Sequence, residues 1–137
     1  MTGLPSDAGT WTWVDTWILA SLSDGRWMSL RDVIGSADAH NHAIPTRHDL
    51  ASALGALIAS DLVQVSEGRF RTTATGKALR KHWKGGMFTW NEALLPQLAK
   101  LVRSSAELEL SEAEVDAAYA EYVGRRRKAR RRSRQAP

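Results

Sequence analysis

The chain has 137 residues, a formal net charge of +4, 43% hydrophobic residues and no cysteine. It is long enough to bury one ordinary core and too short for two large ones, and the missing cysteines exclude disulfide frameworks and thiolate zinc sites. No apolar run approaches the roughly 20 residues of a membrane-spanning helix and the start does not resemble a signal peptide, so the expected setting is the cytoplasm, without a membrane partner.

Residues 1 to 9, with Gly3, Pro5, Ser6, Asp7 and Gly9, show no period that would bury a face and read as a loose leader. Thr12 with Asp15 three residues on has the spacing of a capping pair, and Trp13, Val14, Trp17, Ile18 and Leu22 then recur at helical spacing until Asp24-Gly25. Trp27 and Met28 suit a short edge strand. Ser29 can cap a second helix carrying Leu30, Val33, Ile34 and Ala37. Pro45 cannot continue a helix but fits just before a new one, and Thr46 with Asp49 repeats the cap spacing ahead of the stripe Leu50, Leu54, Leu57 and Ile58.

Two short strands, Leu62 to Val65 and Arg69 to Thr72, flank a Glu-Gly turn and form a hairpin. Thr73-Ala74-Thr75-Gly76 opens a fourth helix that Gly85-Gly86 breaks. Thr89-Trp90-Asn91-Glu92 has capping-box spacing before Leu94, Leu95, Leu98, Leu101 and Val102, with Pro96 as a kink or a delayed start. Ser111-Glu112-Ala113-Glu114 starts a last helix with Val115, Tyr119, Tyr122 and Val123 on one side.

This order specifies an α+β, mostly helical chain: a winged helix-turn-helix over residues 10–84, two additional C-terminal helices over 87–124 for packing or dimerisation, and an Arg-rich tail over 125–137 that self-repulsion should keep disordered unless anions neutralise it. Charge is segregated along the same lines. Residues 26 to 84 hold nine basic and five acidic side chains, net +4, residues 85 to 123 hold two and seven, net −5, and eight cations fall between Arg125 and Arg134. A surface built only for solubility would intersperse the signs, so this pattern points to a polyanion.

Asp24-Gly25-Arg26-Trp27-Met28-Ser29-Leu30, Asp32-Val33-Ile34, Ala37-Asp38, Ile44-Pro45-Thr46, the Leu50 to Leu57 helix, Asp61-Leu62-Val63, Gly68-Arg69-Phe70 and Thr73-Ala74-Thr75-Gly76 together resemble bacterial winged helix regulators of the MarR and PadR style, over about residues 12 to 84. The resemblance implies that the Thr-x-x-Gly element joins the hairpin to the next helix, and that helices at both chain ends build a homodimer. The chain departs from the family pattern at Thr72, where an apolar residue is usual, and in a recognition helix poor in long polar side chains.

In such a unit the second helix of the pair enters a groove of double-stranded DNA and the hairpin meets the flanking backbone. If Leu50, Leu54, Leu57 and Ile58 face inward, His48, Ser52, Gly55, Ala56 and Ala59 face outward. The expected contacts are Thr46, Arg47, His48 and Ser52 at the groove, with the helix start at Thr46 aimed at a phosphate, and Arg69 and Arg71 of the hairpin on the backbone. Arg31 and Lys77 would assist, with Arg80, Lys81 and Lys84 as weaker candidates, and Arg125, Arg126, Arg127, Lys128, Arg130, Arg131 and Arg132 would hold more distant phosphates.

So few hydrogen-bonding groups can specify few base pairs, and the small stripe at Ser52, Gly55, Ala56 and Ala59 equally admits a second helix, from a partner or from the chain's own C-terminal segment. The tail could also fold against the acidic stretch Glu107 to Glu121 of its own or another chain. His40, His42 and His48 lack the i, i+4 spacing of a helical metal pair, so no metal or other cofactor is expected, and the six tryptophans read as packing. No nucleophile elbow, phosphate-cradling glycine loop or His-Glu-x-x-His is present, so no enzyme is expected. The reading is a small DNA-binding transcriptional regulator in the cytoplasm, associated with the nucleoid. The alternative is a winged-helix protein-interaction module, bound to a partner at the small-residue face and tethered by its tail to nucleic acid or an acidic surface.

Overall fold

The computed structural model describes residues 9–23, 25–86 and 88–135. It is 58% helical and α+β. The elements run α1 (Trp13–Ala20), β1 (Met28–Ser29), α2 (Leu30–Asn41), α3 (Arg47–Ala59), β2 (Val63–Ser66), β3 (Arg69–Thr72), α4 (Ala74–Arg80), α5 (Trp90–Leu98) and α6 (Glu112–Gln135). The three strands form one antiparallel sheet in the order β1-β3-β2, with Met28 opposite Phe70 and Val63 opposite Thr72. Both the element order and the sheet order are compatible with a winged helix.

Local chemistry accounts for most helix starts. Ser29 Oγ accepts from the Asp32 N–H while the Asp32 carboxylate accepts from the Ser29 N–H, and Thr46 with Asp49 and Ser111 with Glu114 repeat this exchange. Each pair satisfies two amides that a helix start otherwise leaves unbonded, a contribution of about 1 kcal/mol. Thr89 does not cap α5, contrary to the spacing: its hydroxyl accepts from Trp83 Nε1 at 3.0 Å and lies 2.9 Å from the Gly85 and Gly86 carbonyls. The α5 helix also stops at Leu98, two residues after Pro96 removes an amide from its ladder, so Leu101 and Val102 leave the apolar stripe and are exposed.

The hairpin turns through Glu67 and Gly68 with φ of 51° and 72°, the left-handed pair that suits a two-residue connection. Thr73 then ties the hairpin to α4. Its hydroxyl donates to the Asp61 carbonyl at 2.6 Å and accepts from the Gly76 N–H at 3.0 Å, and its own amide donates to the Leu62 carbonyl. A methyl group on Gly76 would run into that same Leu62 carbonyl, which is why glycine stands there. Arg80, one of the weaker phosphate candidates, instead donates to the Leu19 and Ala20 carbonyls and closes the end of α1.

A single core runs through the described residues: Trp17, Ile18, Leu19 and Leu22, Val33 and Ile34, Leu50, Leu54 and Leu57, Leu62 and Val63, Phe70, and Leu94 and Leu98 are all buried. Burying each such Leu or Ile side chain stabilises the fold by roughly 1.5–3 kcal/mol. The residues 87–124 therefore do not pack as a segment apart from 10–84. The α5 helix lies on α1, with Asn91 beside Thr16, and the half of α6 that carries Val115, Ala118 and Tyr122 lies on α2. The expected loose leader falls outside the described residues except at Gly9, which bridges to Arg103.

Where it is described, the tail continues α6 as helix to Gln135. The costly first turns are already held against α2, after which arginine, lysine and alanine propagate a helix cheaply. Acids in the first turn and cations in the last turns also match the helix dipole at both ends.

Candidate nucleic-acid interface

The outward face of α3 is covered by the chain itself at Ser52 and Gly55, while His48 and Ala59 at its two ends are exposed. Residues 103–110 cross it as an extended strap: Leu108 N–H donates to the Ala51 carbonyl at 2.9 Å, Arg103 Nη2 donates to Ser52 Oγ at 2.9 Å, and a methyl on Gly55 would collide with the Ala106 carbonyl. Gly55 is consequently buried, and Ala56, expected to face outward, lies in the core. The small-residue stripe admits close approach, as its composition implies, and its occupant at Ser52 and Gly55 is the chain's own C-terminal segment, though not as a helix. It is an irregular stretch of backbone, which only side chains this small allow so near a helix.

Arg103 clasps that strap to the body. Its guanidinium meets the Asp15 carboxylate with two parallel hydrogen bonds of 2.9 Å, and it also lies 5.6 Å from the Trp11 ring centroid. The Asp15 side chain is 1% exposed and that of Arg103 11%. Asp15 also accepts from the Thr12 N–H, so the carboxylate that caps α1 is the one that holds the strap. Trp11 completes the clasp by donating from Nε1 to the Leu101 carbonyl. Nothing local in the sequence points to this pair, whose members stand 88 residues apart.

The groove candidates at the start of α3 are engaged or faced by acids. Thr46 is occupied in capping, and the Asp49 carboxylate sits on its amide, where a phosphate would have to go. Arg47 donates to the Leu110 carbonyl and pairs with Glu112 at 3.3 Å. His48 is exposed, but it lines a cleft of about 410 Å³ together with Glu112, Asp116 and Tyr119. Ser52 is bonded to Arg103. Arg31, the helper on α2, is held by Asp32 at 2.9 Å and Glu121 at 2.6 Å.

Cations with room to act lie along another side. Phe70 is buried in β3 while Arg69 is exposed on the hairpin. Arg71 donates to Gln64 and stacks on Trp27 at 4.3 Å, and lines a cleft with Gly25 and Lys77. The adjoining Arg26 lines a second cleft, about 430 Å³, with Arg31, Arg125 and Arg126. The turn at Gly25 and Arg26 thus links the hairpin flank to the root of the basic helix. From Arg125 to Arg132 seven cations are exposed, and of these Arg126 alone meets an acid among the described residues, Asp38 at 3.1 Å. The tail does not fold back on Glu107 to Glu121; it extends beyond that stretch.

His40, His42 and His48 are not brought to one point. His40 Nδ1 bonds the Ser36 carbonyl and its ring packs on Trp83, and His42 adopts a left-handed conformation at the end of α2 beside Phe88. Among the described residues no group of three or more His, Asp and Glu side chains is placed to hold a metal, and no helix is long and apolar enough to cross a membrane. Trp13 and Trp17 stack at 5.6 Å, with Trp17 buried and Trp13 half exposed.

Where α6 docks on α2, two titrations report on the contact. Burial acts to raise the pKa of Asp32, but hydrogen bonds from Arg31 and Ser29 outweigh it and hold the carboxyl below its ordinary value. Its contribution is therefore complete above the unfolded pKa of about 3.9 and is lost as pH falls through the lower folded value. Tyr122 is pushed up, first by burial and then by donating to Asp38 at 2.6 Å. The folded chain favours the neutral phenol, so this stabilisation is complete below about pH 10 and disappears as pH rises through the folded value. An ultraviolet titration should show a delayed phenol, and Tyr122→Phe should abolish the delay. A titration curve that the substitution leaves without loss of its late phase would contradict it.

No protein-family model, characterised protein or solved structure yields a match to this chain.

Proposed function

We propose that this chain is a winged-helix protein that binds duplex DNA as a small regulator, gripping the backbone with the basic half of α6, Arg26, and the hairpin flank of Arg69, Arg71 and Lys77. The observation that carries this reading is the exposed run of seven cations from Arg125 to Arg132, six of them without an acidic partner among the described residues. The helix–β–helix–helix–hairpin order and the β1-β3-β2 sheet support the winged-helix assignment.

With the α3 face under the strap, this arrangement offers little direct base readout, so the affinity is largely electrostatic and weakly selective. The same strap fills the α3 face that a protein partner would need, which disfavours a protein-interaction module docking there. A salt titration of the full-length protein on random-sequence duplex tests the reading. Log affinity should fall linearly with log salt concentration at a slope of about −5 or steeper, as at least six neutralised phosphates require. A slope near zero would overturn it.

A further inference from the structure

The distribution of cations around α6 says more than their number. At about 100° per residue, Arg125, Arg126, Arg127, Lys128, Arg130, Arg131 and Arg132 spread over roughly 260° of the helix, leaving one sector with Ala129 and Ser133. That open sector is oriented: Ala129 lines the cleft that separates α6 from Ser23, Arg26 and Gly35 of the body. Arg125 and Arg126 flank Ala129 on the side that looks back at the protein, where Arg126 meets Asp38, and Arg127, Lys128, Arg130, Arg131 and Arg132 spread over roughly 200° on the sides that look away.

A helix lying on a flat row of phosphates would present only part of such a circumference to them. Cations on three sides match a channel with two anionic walls and a floor. The major groove of B-form DNA is one, about 12 Å wide and 8.5 Å deep, against about 10–12 Å for a helix with its side chains. The minor groove, about 6 Å wide, excludes a helix, and the major groove of A-form RNA is too deep and narrow for side chains to read. From Arg125 to Arg132 the helix rises about 11 Å, some three base-pair steps, and both walls stay within reach over that length.

We propose that the basic half of α6 is a groove-inserted helix for B-form DNA, lying lengthwise in the major groove with its Ala129 side toward the protein body. The inference rests on the duplex-binding reading above and adds to it the form of nucleic acid and the groove. Arginines on the deep side then meet guanine O6 and N7, giving a mild preference for G·C-rich duplex, and the lateral ones take phosphates on both strands.

The test uses full-length protein at constant salt on three short duplexes of one sequence: unmodified DNA, DNA whose major groove is filled by glucosylated 5-hydroxymethylcytosine, and RNA. Dimethyl sulfate footprinting of the unmodified DNA runs in parallel, because it reports guanine N7 in the major groove and adenine N3 in the minor groove. Expected are at least tenfold weaker binding to the glucosylated DNA and to the RNA, and protection at guanine N7 with adenine N3 still reactive. Equal affinity for plain and glucosylated DNA, or protection confined to adenine N3, would overturn groove insertion and leave the duplex-binding reading standing. RNA bound as tightly as DNA would do the same. No binding to any of the three, or a slope near zero in the salt titration above, would remove both.

Discussion

Replacing Arg127, Lys128, Arg130, Arg131 and Arg132 together with glutamine is expected to lower affinity for duplex DNA on the order of 10³-fold at about 0.15 M salt, and to flatten the salt slope by about four units. These five cations are exposed and make no ion pair among the described residues, so the change leaves the core and the α2–α6 contact untouched. Glutamine keeps helix propensity close to that of arginine, so a loss of binding reports charge and not an unwound helix. Circular dichroism should show unchanged helix content, and the thermal midpoint should hold or rise slightly as self-repulsion falls. Arg125 and Arg126 stay in place because they line the cleft toward the body and Arg126 bonds Asp38. If the glutamine protein keeps its affinity and its slope, the hairpin flank and not α6 carries the contact.

Replacing Arg103 with alanine is expected to cost about 3–5 kcal/mol of stability, because it strips the partner from a carboxylate that stays buried. For a chain of this length that corresponds to a fall in thermal midpoint of roughly 10–20 °C. Lysine should recover little of it, since an ammonium cannot match the carboxylate with two parallel bonds while also reaching Ser52. The double variant Asp15→Asn with Arg103→Ala should lose less than the two single losses combined, because the charges compensate each other. Hydrogen exchange gives a local readout: the Leu108 amide, bonded to Ala51 in the parent, should lose its protection when the clasp is cut. A stability loss under 1 kcal/mol would show that Leu108 and Leu110 seat the strap without Arg103.

These two results separate the parts of the chain that carry affinity from those that shape the fold. The strap variants should alter duplex binding much less than the α6 variant, because the strap and the basic run stand at opposite ends of α6. If cutting the clasp instead raised sequence-selective binding, the α3 face would be a usable surface kept under cover, and the groove contacts at His48 and Ser52 would regain their place.

Much of the element order is legible along the chain because it depends on neighbours. Ser29 with Asp32, Thr46 with Asp49, and Ser111 with Glu114 are cap pairs three residues apart, and the Glu67-Gly68 turn sets the hairpin register by itself. The alternation of Arg69, Phe70 and Arg71 correctly places Phe70 in the core. Local reasoning fails where a distant group outbids a neighbour. The Thr89 hydroxyl accepts from Trp83 and the Arg80 guanidinium donates to the end of α1, and neither exchange has a marker in the adjacent residues.

What the sequence determines alone is the helical and hairpin framework and the segregation of charge, since both follow from short-range periodicity and composition. The tertiary structure decides which surfaces remain open. The small stripe at Ser52 and Gly55 announces that something comes close to α3, but only folding brings Arg103 across 88 residues to Asp15 and lays the strap there. The run of arginines announces a polyanion, but only the docking of Val115, Ala118 and Tyr122 on α2 holds in place the helix that spreads those charges around an axis. In both cases burial of apolar and paired groups far apart in the chain sets the outcome, and no local pattern encodes that distance.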